Sequence, residues 1–273
     1  MPRNPAPPVG SDARHDFTDV TPYDKHFEYR KDFMDIAPRF FLRTRLMLRM
    51  LADREGTVLD LGCGDGFFLR RLAQEGYRGV GIDVSKAGIE LARKVVADYP
   101  ECEVHCAPIE EFGPDGGYAT AACGETLEHI EDDVEFLRQT NRLMALGGIL
   151  VLTVPVDMTL WTQHDVDAGH FRRYSKAELF KKLERSGFAV EEHVVWGFPL
   201  VRLMHLRIRR AQTRRMGGGA RSRKRDLLVR LKPLLRVARQ VVRFDNLFNA
   251  TERGVGIVVR ARKTRDLPGL DAA

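Results

Sequence analysis

Acidic and imidazole side chains that could do chemistry are concentrated in two short stretches. The first reads E-x-x-E-H and holds Glu125, Glu128 and His129, and the second, about 40 residues later, ends in His170. Carboxylate oxygens and imidazole nitrogens together are suitable ligands for a hard divalent cation such as Mg²⁺ or Mn²⁺. An imidazole beside acids can also take a proton from a reacting hydroxyl or amine. The sequence therefore leaves two chemistries open: a metal site formed by these four residues, or a general base at His129.

A glycine-rich turn between two predicted strands indicates a second ligand site, for a nucleotide-like molecule. Three glycines alternate with other residues directly after the apolar run Val58 to Leu61, which allows a ligand to approach the backbone closely. The next predicted strand ends in Asp83, whose carboxylate can accept both hydroxyls of a ribose. We predict cofactor contacts from the residues of the turn, the acid before it and the end of the second strand: Asp60, Gly62, Cys63, Gly64, Gly66, Asp83 and Val84.

The turn has the pattern D-x-G-x-G-x-G, in which Phe67 stands where a dinucleotide-binding fingerprint has its third glycine. This pattern resembles the nucleotide-binding motif of class I S-adenosylmethionine-dependent methyltransferases, and the resemblance extends over roughly residues 54–263. It implies S-adenosylmethionine as the cofactor. It also adds three residues to the predicted cofactor contacts: Ile109 against the adenine ring, Glu110 near its amino group, and Glu125. A similar domain whose turn binds another nucleotide, or no ligand, is the alternative.

The E-x-x-E-H loop followed by a later histidine resembles two groups of metal-dependent O-methyltransferases. One methylates the 2′-hydroxyl of the 3′-terminal ribose of small RNAs, and the other methylates catechol intermediates of ubiquinone synthesis. The resemblance implies Glu128, His129 and His170 as catalytic residues, and an acceptor hydroxyl with a vicinal oxygen, in a sugar or glycoconjugate diol or in a catechol or quinol. Two alternatives remain: a metal-free methyltransferase acting on a small molecule, with His129 as base, and a non-catalytic cofactor-binding module that docks on a membrane or on nucleic acid.

The elements that position these residues follow from the apolar pattern and the resemblance: an α/β protein with a doubly wound, seven-stranded Rossmann-like sheet. We predict strands at Val58–Leu61, Gly79–Ile82, Glu101–Cys106, Tyr118–Cys123, Ile149–Val154, Val190–Trp196 and Gly256–Arg262, and helices at 23–51, 67–74, 86–98, 131–144 and 176–185. The predicted division is a disordered lead-in (1–16), covering helices (17–53), the catalytic core (54–199), a basic insertion (200–250), the last strand (251–263) and a disordered tail (264–273).

Positive charge is concentrated in the insertion. Residues 200–243 carry 15 of the chain's 44 Lys and Arg residues but only one of its 38 acids. Apolar residues recur there at helical spacing, which predicts basic amphipathic helices. Such helices suit an anionic membrane surface or a lipid-linked substrate, and suit nucleic acid less well because base-stacking Tyr and Trp are missing from the segment. Solvated arginines on an ordinary packed helix are the plain alternative.

The expected location is the cytoplasm, with peripheral binding to a membrane surface as an option. The sequence contains no apolar run of about 18 residues, which a membrane-spanning helix requires. The first residues, MPRNPAPPVG, do not have the apolar segment of a secretory signal. The four cysteines do not form a disulfide framework and are typical of a reduced intracellular protein.

Overall fold

A computed structural model describes residues 37–51, 56–113, 115–213, 237–238 and 240–267 of the chain. A single seven-stranded sheet runs through these residues. Its strands are β1 (Thr57–Leu61), β2 (Arg78–Asp83), β3 (Cys102–Cys106), β4 (Tyr118–Gly124), β5 (Met144–Pro155), β6 (Phe188–Trp196) and β7 (Gly256–Lys263). They lie in the order β3-β2-β1-β4-β5-β7-β6. The predicted α/β fold with a seven-stranded Rossmann-like sheet is confirmed.

The direction of the strands separates the sheet into a parallel part and an antiparallel edge. Strands β1 to β5 pair in parallel with their neighbours, whereas β7 is inserted antiparallel between β5 and β6. The strand order reverses between β1 and β4, so the loops after these two strands diverge onto opposite faces and leave a crevice. Ligands of open α/β sheets bind in this position, outside the carboxyl ends of the strands.

Helices cover both faces of the sheet. They are α1 (Pro38–Met50), α2 (Phe67–Gln74), α3 (Lys86–Val95), α4 (Asp133–Leu143), α5 (Gln163–Asp167), α6 (Lys176–Arg185) and α7 (Leu200–Thr213), and a 3₁₀ segment spans Val242–Thr251. Each face has its own apolar cluster. One packs α1 and α2 on the sheet around Leu42, Met47 and Leu69, and the other packs α4 and α6 around Leu137 and Leu183. None of the helices in the described residues is long and apolar enough to span a membrane.

Several element boundaries differ from the predicted ones, and two of the differences have a local cause. Strand β5 begins at Met144 rather than Ile149, so it includes Gly147 and Gly148, which the prediction left outside the strand. Gly147 has φ +80°, and a Cβ on Gly148 would lie 2.8 Å from the carbonyl oxygen of Ala145, so the glycines form an irregularity within the strand. Helix α4 begins at Asp133 rather than Glu131, because the Asp132 side chain accepts a hydrogen bond from the Glu135 N–H and caps the helix there.

Several sequence predictions concern residues outside the described ranges. They are the lead-in 1–16, the helical residues before 37, the helix break at Pro233, most of the apolar stripe 227–242, and the tail beyond residue 267. Within the described residues, the insertion contributes α7 and residues 237–251 apart from 239. Residues 264–267 follow β7 directly, and the carbonyl of Arg265 accepts a hydrogen bond from the Asn141 side chain.

Candidate functional site

The crevice at the carboxyl ends of β1, β4 and β5 contains a cavity of about 240 Å³. Its walls come from the glycine turn after β1, the loop after β4, the loop after β5, and α1. Helix α1 lies against the loop after β4, where Arg43 pairs with Glu125. The residues at the centre of the lining are Asp60, Gly62, Cys63, Gly64, Glu125, Glu128, His129, Asp165, His170 and Arg173, with Arg39, Phe40, Arg43 and Thr44 from α1.

The glycine turn packs tightly against its neighbours at two points. A Cβ on Gly62 would lie 2.3 Å from the Thr126 side chain. Any residue other than glycine would therefore push the glycine turn away from the loop after β4. A Cβ on Gly66 would lie 2.9 Å from the backbone of Ala92 in α3. Both glycines also have positive φ, of 72° and 73°. The alternating glycines are therefore required by this turn, as the sequence pattern predicted.

Asp83 has a structural task that the sequence did not reveal. Its Oδ2 accepts a hydrogen bond from the Gly64 N–H at 2.9 Å, and its Oδ1 accepts one from the Ser85 N–H at 2.8 Å. The carboxylate is buried and fixes the glycine turn to the end of β2. The contact of Asp83 with a ribose remains a prediction.

Acidic groups around the turn make it suitable for a cationic ligand. Asp60 is buried beneath the turn, and within the described part of the chain its Oδ2 has no hydrogen-bond partner. Burial, and then the charges of Asp83 and Asp65, raise the pKa of Asp60 to about 8. A bound cation would offset this repulsion. Cys63 is buried, and its thiol pKa is raised well above the ordinary value by burial and by these acids, so it stays a neutral packing group.

Five of the ten predicted cofactor contacts do not line the cavity. Gly66 and Asp83, described above, support the glycine turn, and the other three are Val84, Ile109 and Glu110. Ile109 is buried in the apolar cluster under α4, and Glu110 beside it is exposed, both in a short 3₁₀ turn after β3. Val84 is also exposed. Among the described residues, the cavity lining includes none of these three, so their contact with a cofactor remains a prediction from the resemblance.

The centre of the cavity is a cluster of three potential metal ligands. One ligand atom each from Glu128, His129 and His170 lies within 4.8 Å of the others. The two imidazole rings meet edge to face, with their centroids 4.7 Å apart. A backbone hydrogen bond from the Phe171 N–H to the Glu128 carbonyl, at 2.8 Å, holds the two loops together. The structure thus brings together three of the four residues predicted as metal ligands.

Glu128 is the most unusual side chain in the cluster. It is fully buried, and neither carboxylate oxygen has a hydrogen-bond partner within the described residues. Burial and the neighbouring charge of Glu125 raise the pKa of Glu128 well above its ordinary value. Buried polar atoms without partners are rare and costly, and they commonly mark a place where a ligand or ion completes the site.

Glu125, the fourth predicted ligand, pairs with an arginine of α1 instead of joining the cluster. Its carboxylate pairs with Arg43 of α1 at 3.1 Å and accepts a hydrogen bond from the Thr153 hydroxyl. Burial favours a higher pKa, but Arg43 and Arg39 outweigh it, so the pKa of Glu125 lies below its ordinary value and the group is a carboxylate. It is not part of the cluster of three. Its backbone has φ +57°, an uncommon conformation that directs this side chain toward α1.

A second layer of polar residues orients His170. Its Nδ1 lies 3.1 Å from Asp165 Oδ1, and the same oxygen accepts a hydrogen bond from Arg173 Nε at 2.8 Å. The other oxygen of Asp165 accepts from the backbone N–H and the hydroxyl of Thr162. These contacts lower the pKa of Asp165 despite its burial. A carboxylate on one ring nitrogen leaves the other, Nε2, for a ligand or a proton.

The sequence contained a signal for this second layer that pattern reading did not use. Thr162-x-x-Asp165 has the spacing of a capping box and starts the short helix α5, which places Asp165 under His170. Arg173 is buried against Asp165, a contact that no sequence pattern predicts. No sequence pattern predicts the ion pair of Arg43 with Glu125, because it depends on how α1 packs beside the crevice.

Comparison with known proteins identifies the architecture. A family model described as "Methyltransferase domain" matches residues 28–193. A probable S-adenosylmethionine-dependent methyltransferase of Mycolicibacterium smegmatis is 28% identical over 158 residues, 56% of this chain and 60% of that protein. A ubiquinone biosynthesis O-methyltransferase of Pseudomonas paraeruginosa is 31% identical over 141 residues, 48% of this chain and 56% of that protein.

Solved structures show the same fold at lower identity. An S-adenosylmethionine-dependent methyltransferase from Mesorhizobium loti superposes with a TM-score of 0.54 and 20% identity, covering 84% of this chain and 99% of that chain. Phosphoethanolamine N-methyltransferase 2 of Haemonchus contortus, in complex with S-adenosyl-L-methionine, gives a TM-score of 0.61 and 18% identity, covering 94% of this chain and 61% of that chain. The chain spans less than two thirds of the curated relatives it matches.

Proposed function

The chain belongs to the methyltransferase-domain family, and from this premise we propose that it transfers a methyl group from S-adenosylmethionine to a hydroxyl group. The acceptor is a molecule with an oxygen vicinal to that hydroxyl, either a sugar or glycoconjugate diol or a catechol or quinol. A divalent cation, Mg²⁺ or Mn²⁺, assists the reaction. The observation that carries this proposal is the pair of buried, unpartnered oxygens of Glu128, with His129 and His170 within ligand distance of it.

The glycine turn fits the cofactor. S-adenosylmethionine carries two positive charges, a sulfonium and an α-ammonium, and its sulfonium methyl is the group that the acceptor attacks. The buried, unpartnered Asp60 oxygen and the pKa of about 8 that accompanies it favour a cation at this point. Gly62 and Gly64 border the same cavity and leave their backbone accessible to a ligand. Asp83 supports the turn from below through the Gly64 amide.

The cluster in the loops after β4 and β5 fits a hard divalent cation. One carboxylate and two imidazoles would supply three ligands, and the vicinal oxygens of the acceptor are suited to supply others. A bound cation would lower the pKa of the acceptor hydroxyl. Asp165 orients His170 for this task, and Arg43 draws Glu125 away from the cluster. The chain's own residues thus hold the acceptor oxygen facing the glycine turn across the cavity.

A second candidate is methyl transfer without a metal, in which an imidazole takes the acceptor's proton. The sequence points to His129 as this base. The geometry favours His170 instead, because its Nδ1 is paired with Asp165, which stabilises the imidazolium that forms when Nε2 takes a proton. The acceptor of such an enzyme could be a hydroxyl or an amine of a small molecule. Glu128 would then stay protonated beside it, as its raised pKa allows.

Chelation separates the two candidates. In the first, EDTA abolishes methyl transfer to a panel of diols and catechols, and Mg²⁺ or Mn²⁺ restores it. Glu128→Gln lowers turnover by about two orders of magnitude or more while cofactor binding, measured by calorimetry, is retained. Glu184→Gln, an exposed acid on α6 that does not line the cavity, serves as the control and keeps full activity. If the enzyme is fully active in EDTA and His170→Ala is inactive, methyl transfer does not need a metal and His170 acts as the general base.

The partner that we propose for the insertion is an anionic membrane surface. Val237, Val241, Phe244 and Leu247 recur at spacings of four, three and three, and all are exposed. Leu203 and Met204 add exposed apolar surface on the neighbouring helix α7. With the strongly basic composition of residues 200–243, this pattern is typical of a helix that lies in a membrane interface. The unpaired cysteines agree with a cytoplasmic enzyme bound at the inner face of a membrane.

A further inference from the structure

A second cavity, of about 990 Å³, lies between α1, α2 and the 3₁₀ segment Val242–Thr251. It is about four times larger than the active-site cavity. The two cavities share Phe40 and Thr44 of α1 as lining residues, so they lie on either side of the same helical turn. The two cavities are therefore neighbours, separated by this turn of α1.

The lining of the large cavity is positively charged. Its charged residues are Arg45, Arg49, Arg70, Arg71 and Glu75. Arg71 is paired with Glu75 at 2.9 Å, and Arg49 is paired with Glu192 at the edge of the sheet. Within the described residues, Arg45 has no ion-pair partner. The arginines exceed the single acid, and an anionic group is the ligand that this excess favours.

Buried oxygens without hydrogen-bond partners also line this cavity. Within the described residues, these are the hydroxyl of Thr44 and the amide oxygens of Asn246 and Asn249. Thr44 is only 3% exposed, so its hydroxyl is removed from bulk solvent. Hydroxyl and amide groups of this kind pair well with the hydroxyls of a ligand, which can donate and accept in turn. Arginines and orphaned oxygens together specify a ligand that is both anionic and hydroxylated.

We propose that the large cavity is a binding subsite for an anionic, hydroxyl-bearing portion of the methyl acceptor, such as a phosphorylated sugar or cyclitol. The inference rests on the proposed function, since it adds the remote part of the same acceptor. Thr44 and Phe40 lie where the remote part joins the reacting part. The class of substrate is then a phosphorylated glycan or glycolipid headgroup rather than a simple catechol.

Such a group could come from a soluble sugar phosphate or from a lipid headgroup. Asn246 and Asn249 lie on the segment that also exposes Phe244 and Leu247. A headgroup could therefore enter the cavity while its lipid stays at the apolar stripe. Both sources present the same chemistry to the arginines and the amides, and the experiment separates them.

The soluble arm titrates the full chain with myo-inositol 1-phosphate, with neutral myo-inositol and with inorganic phosphate, by calorimetry. We expect myo-inositol 1-phosphate to bind more tightly than neutral myo-inositol or inorganic phosphate, each of which has only one of the two features. Asn246→Leu, Asn249→Leu and Arg45→Gln should each weaken it about tenfold. Arg185→Gln, an exposed arginine on α6, is the matched control and should leave binding unchanged. Thermal unfolding of each variant checks that it is folded.

The lipid arm compares vesicles with equal fractions of phosphatidylinositol or phosphatidylserine, which have equal charge. A preference for the inositol lipid that Asn246→Leu or Asn249→Leu removes identifies the lipid headgroup as the source. If neither the soluble phosphate nor the inositol lipid is preferred, or if the cavity variants change nothing, the proposal is overturned. Binding of S-adenosylmethionine is measured on the same samples, so a protein that fails there has lost the proposed function and not merely the subsite.

Discussion

At the scale of single residues, the site is defined by carboxylates that the fold buries without partners. Asp60 and Glu128 have unpartnered oxygens in the described structure, and burial raises the pKa of both. Asp165 and Glu125, in the same cavity, have arginine partners that lower theirs. This division separates the acids that hold the site together from the acids that are available to a ligand.

The first prediction concerns Asp60. Its pKa of about 8 means that it is largely protonated at neutral pH in the free protein, and a cationic cofactor binds best to its ionised form. The affinity for S-adenosylmethionine should therefore rise as Asp60 ionises between about pH 7 and about pH 9. Calorimetry of wild type and Asp60→Asn over this range measures it, and the variant corrects for titration of the cofactor's own amino group. Parallel pH profiles would remove Asp60 from the cofactor site.

The second prediction concerns Glu128 and the stability of the metal-free protein. Because its folded-state pKa is raised, the folded form binds the proton more tightly than the unfolded form, and stability falls as pH rises above the ordinary value of 4.5. Gln cannot ionise, so Glu128→Gln should be more stable than wild type near pH 8, by about 1–3 kcal/mol, and the difference should shrink toward pH 5.

Glu125→Gln is the matched control for Glu128→Gln, since it changes the same residue type in the same loop. The pKa of Glu125 is lowered by Arg43 and Arg39, so its ionised form stabilises the fold and its loss should lower the melting temperature. Added Mn²⁺ should raise the melting temperature of wild type and of Glu125→Gln, but not of Glu128→Gln. If the two variants respond alike to pH and to Mn²⁺, Glu128 is not a ligand of the metal.

The sequence predicted this site in part, for a reason visible in individual residues. Glu128, His129 and His170 come together because the carboxyl ends of β4 and β5 are adjacent, which any doubly wound sheet ensures. Glu125 belongs to the same motif, but Arg43 of α1 pairs with it, and motif spacing has no information about that contact. The role of Asp165 likewise depends on tertiary contacts with His170 and Arg173.

At the scale of elements, one buried acid joins the two described parts of the insertion. Asp245 accepts hydrogen bonds from the N–H groups of Leu200 and Val201, at 2.8 and 2.9 Å, and so satisfies two of the free donors at the start of α7. The residue is fully buried. The 3₁₀ segment Val242–Thr251 therefore caps α7, and the two parts of the insertion form one unit.

The third prediction follows from this cap. Asp245→Ala removes two charge-assisted hydrogen bonds and should lower the free energy of unfolding by about 2–3 kcal/mol. Hydrogen exchange of the first amides of α7 should become faster. Asp245→Asn keeps one acceptor and should recover part of the loss. Unchanged exchange in α7 would mean that the helix is held by its apolar face alone, through Val201 and Leu206.

Element types were easier to predict than element ends. Helix α6 begins at Lys176 as predicted, because the Ser175 side chain accepts a hydrogen bond from the Glu178 N–H. Strand β5 begins before its predicted start at Ile149, because Met144 pairs with Tyr118 of β4 and keeps this part of the chain in the sheet. Local patterns thus decide where a cap forms, whereas pairing across the sheet decides how long a strand runs.

At the scale of the whole molecule, charge and apolar surface are distributed unevenly. The body outside residues 200–243 is acidic in balance, and the insertion is strongly basic. The exposed large apolar residues of the described chain are also concentrated in the insertion, where Leu247 is 75% exposed. An acidic body repels an anionic membrane and the insertion is attracted to it, so the two would orient the molecule with its large cavity beside the lipid.

The fourth prediction tests this orientation by co-sedimentation with vesicles. The protein should bind vesicles that contain anionic lipid and should not bind neutral ones, and binding should weaken as salt screens the arginines. Leu247→Ser and Phe244→Ser remove apolar area from the stripe, and together they should weaken binding about tenfold or more, since each buried side chain contributes about 1.5–3 kcal/mol. Leu146→Ser changes a leucine outside the insertion whose exposure, 64%, lies between those of Phe244 and Leu247, and it should have no effect. Equal recovery with neutral and anionic vesicles, or equal loss in all three variants, would mean that the stripe does not contact the membrane, and the basic insertion would then need a different partner.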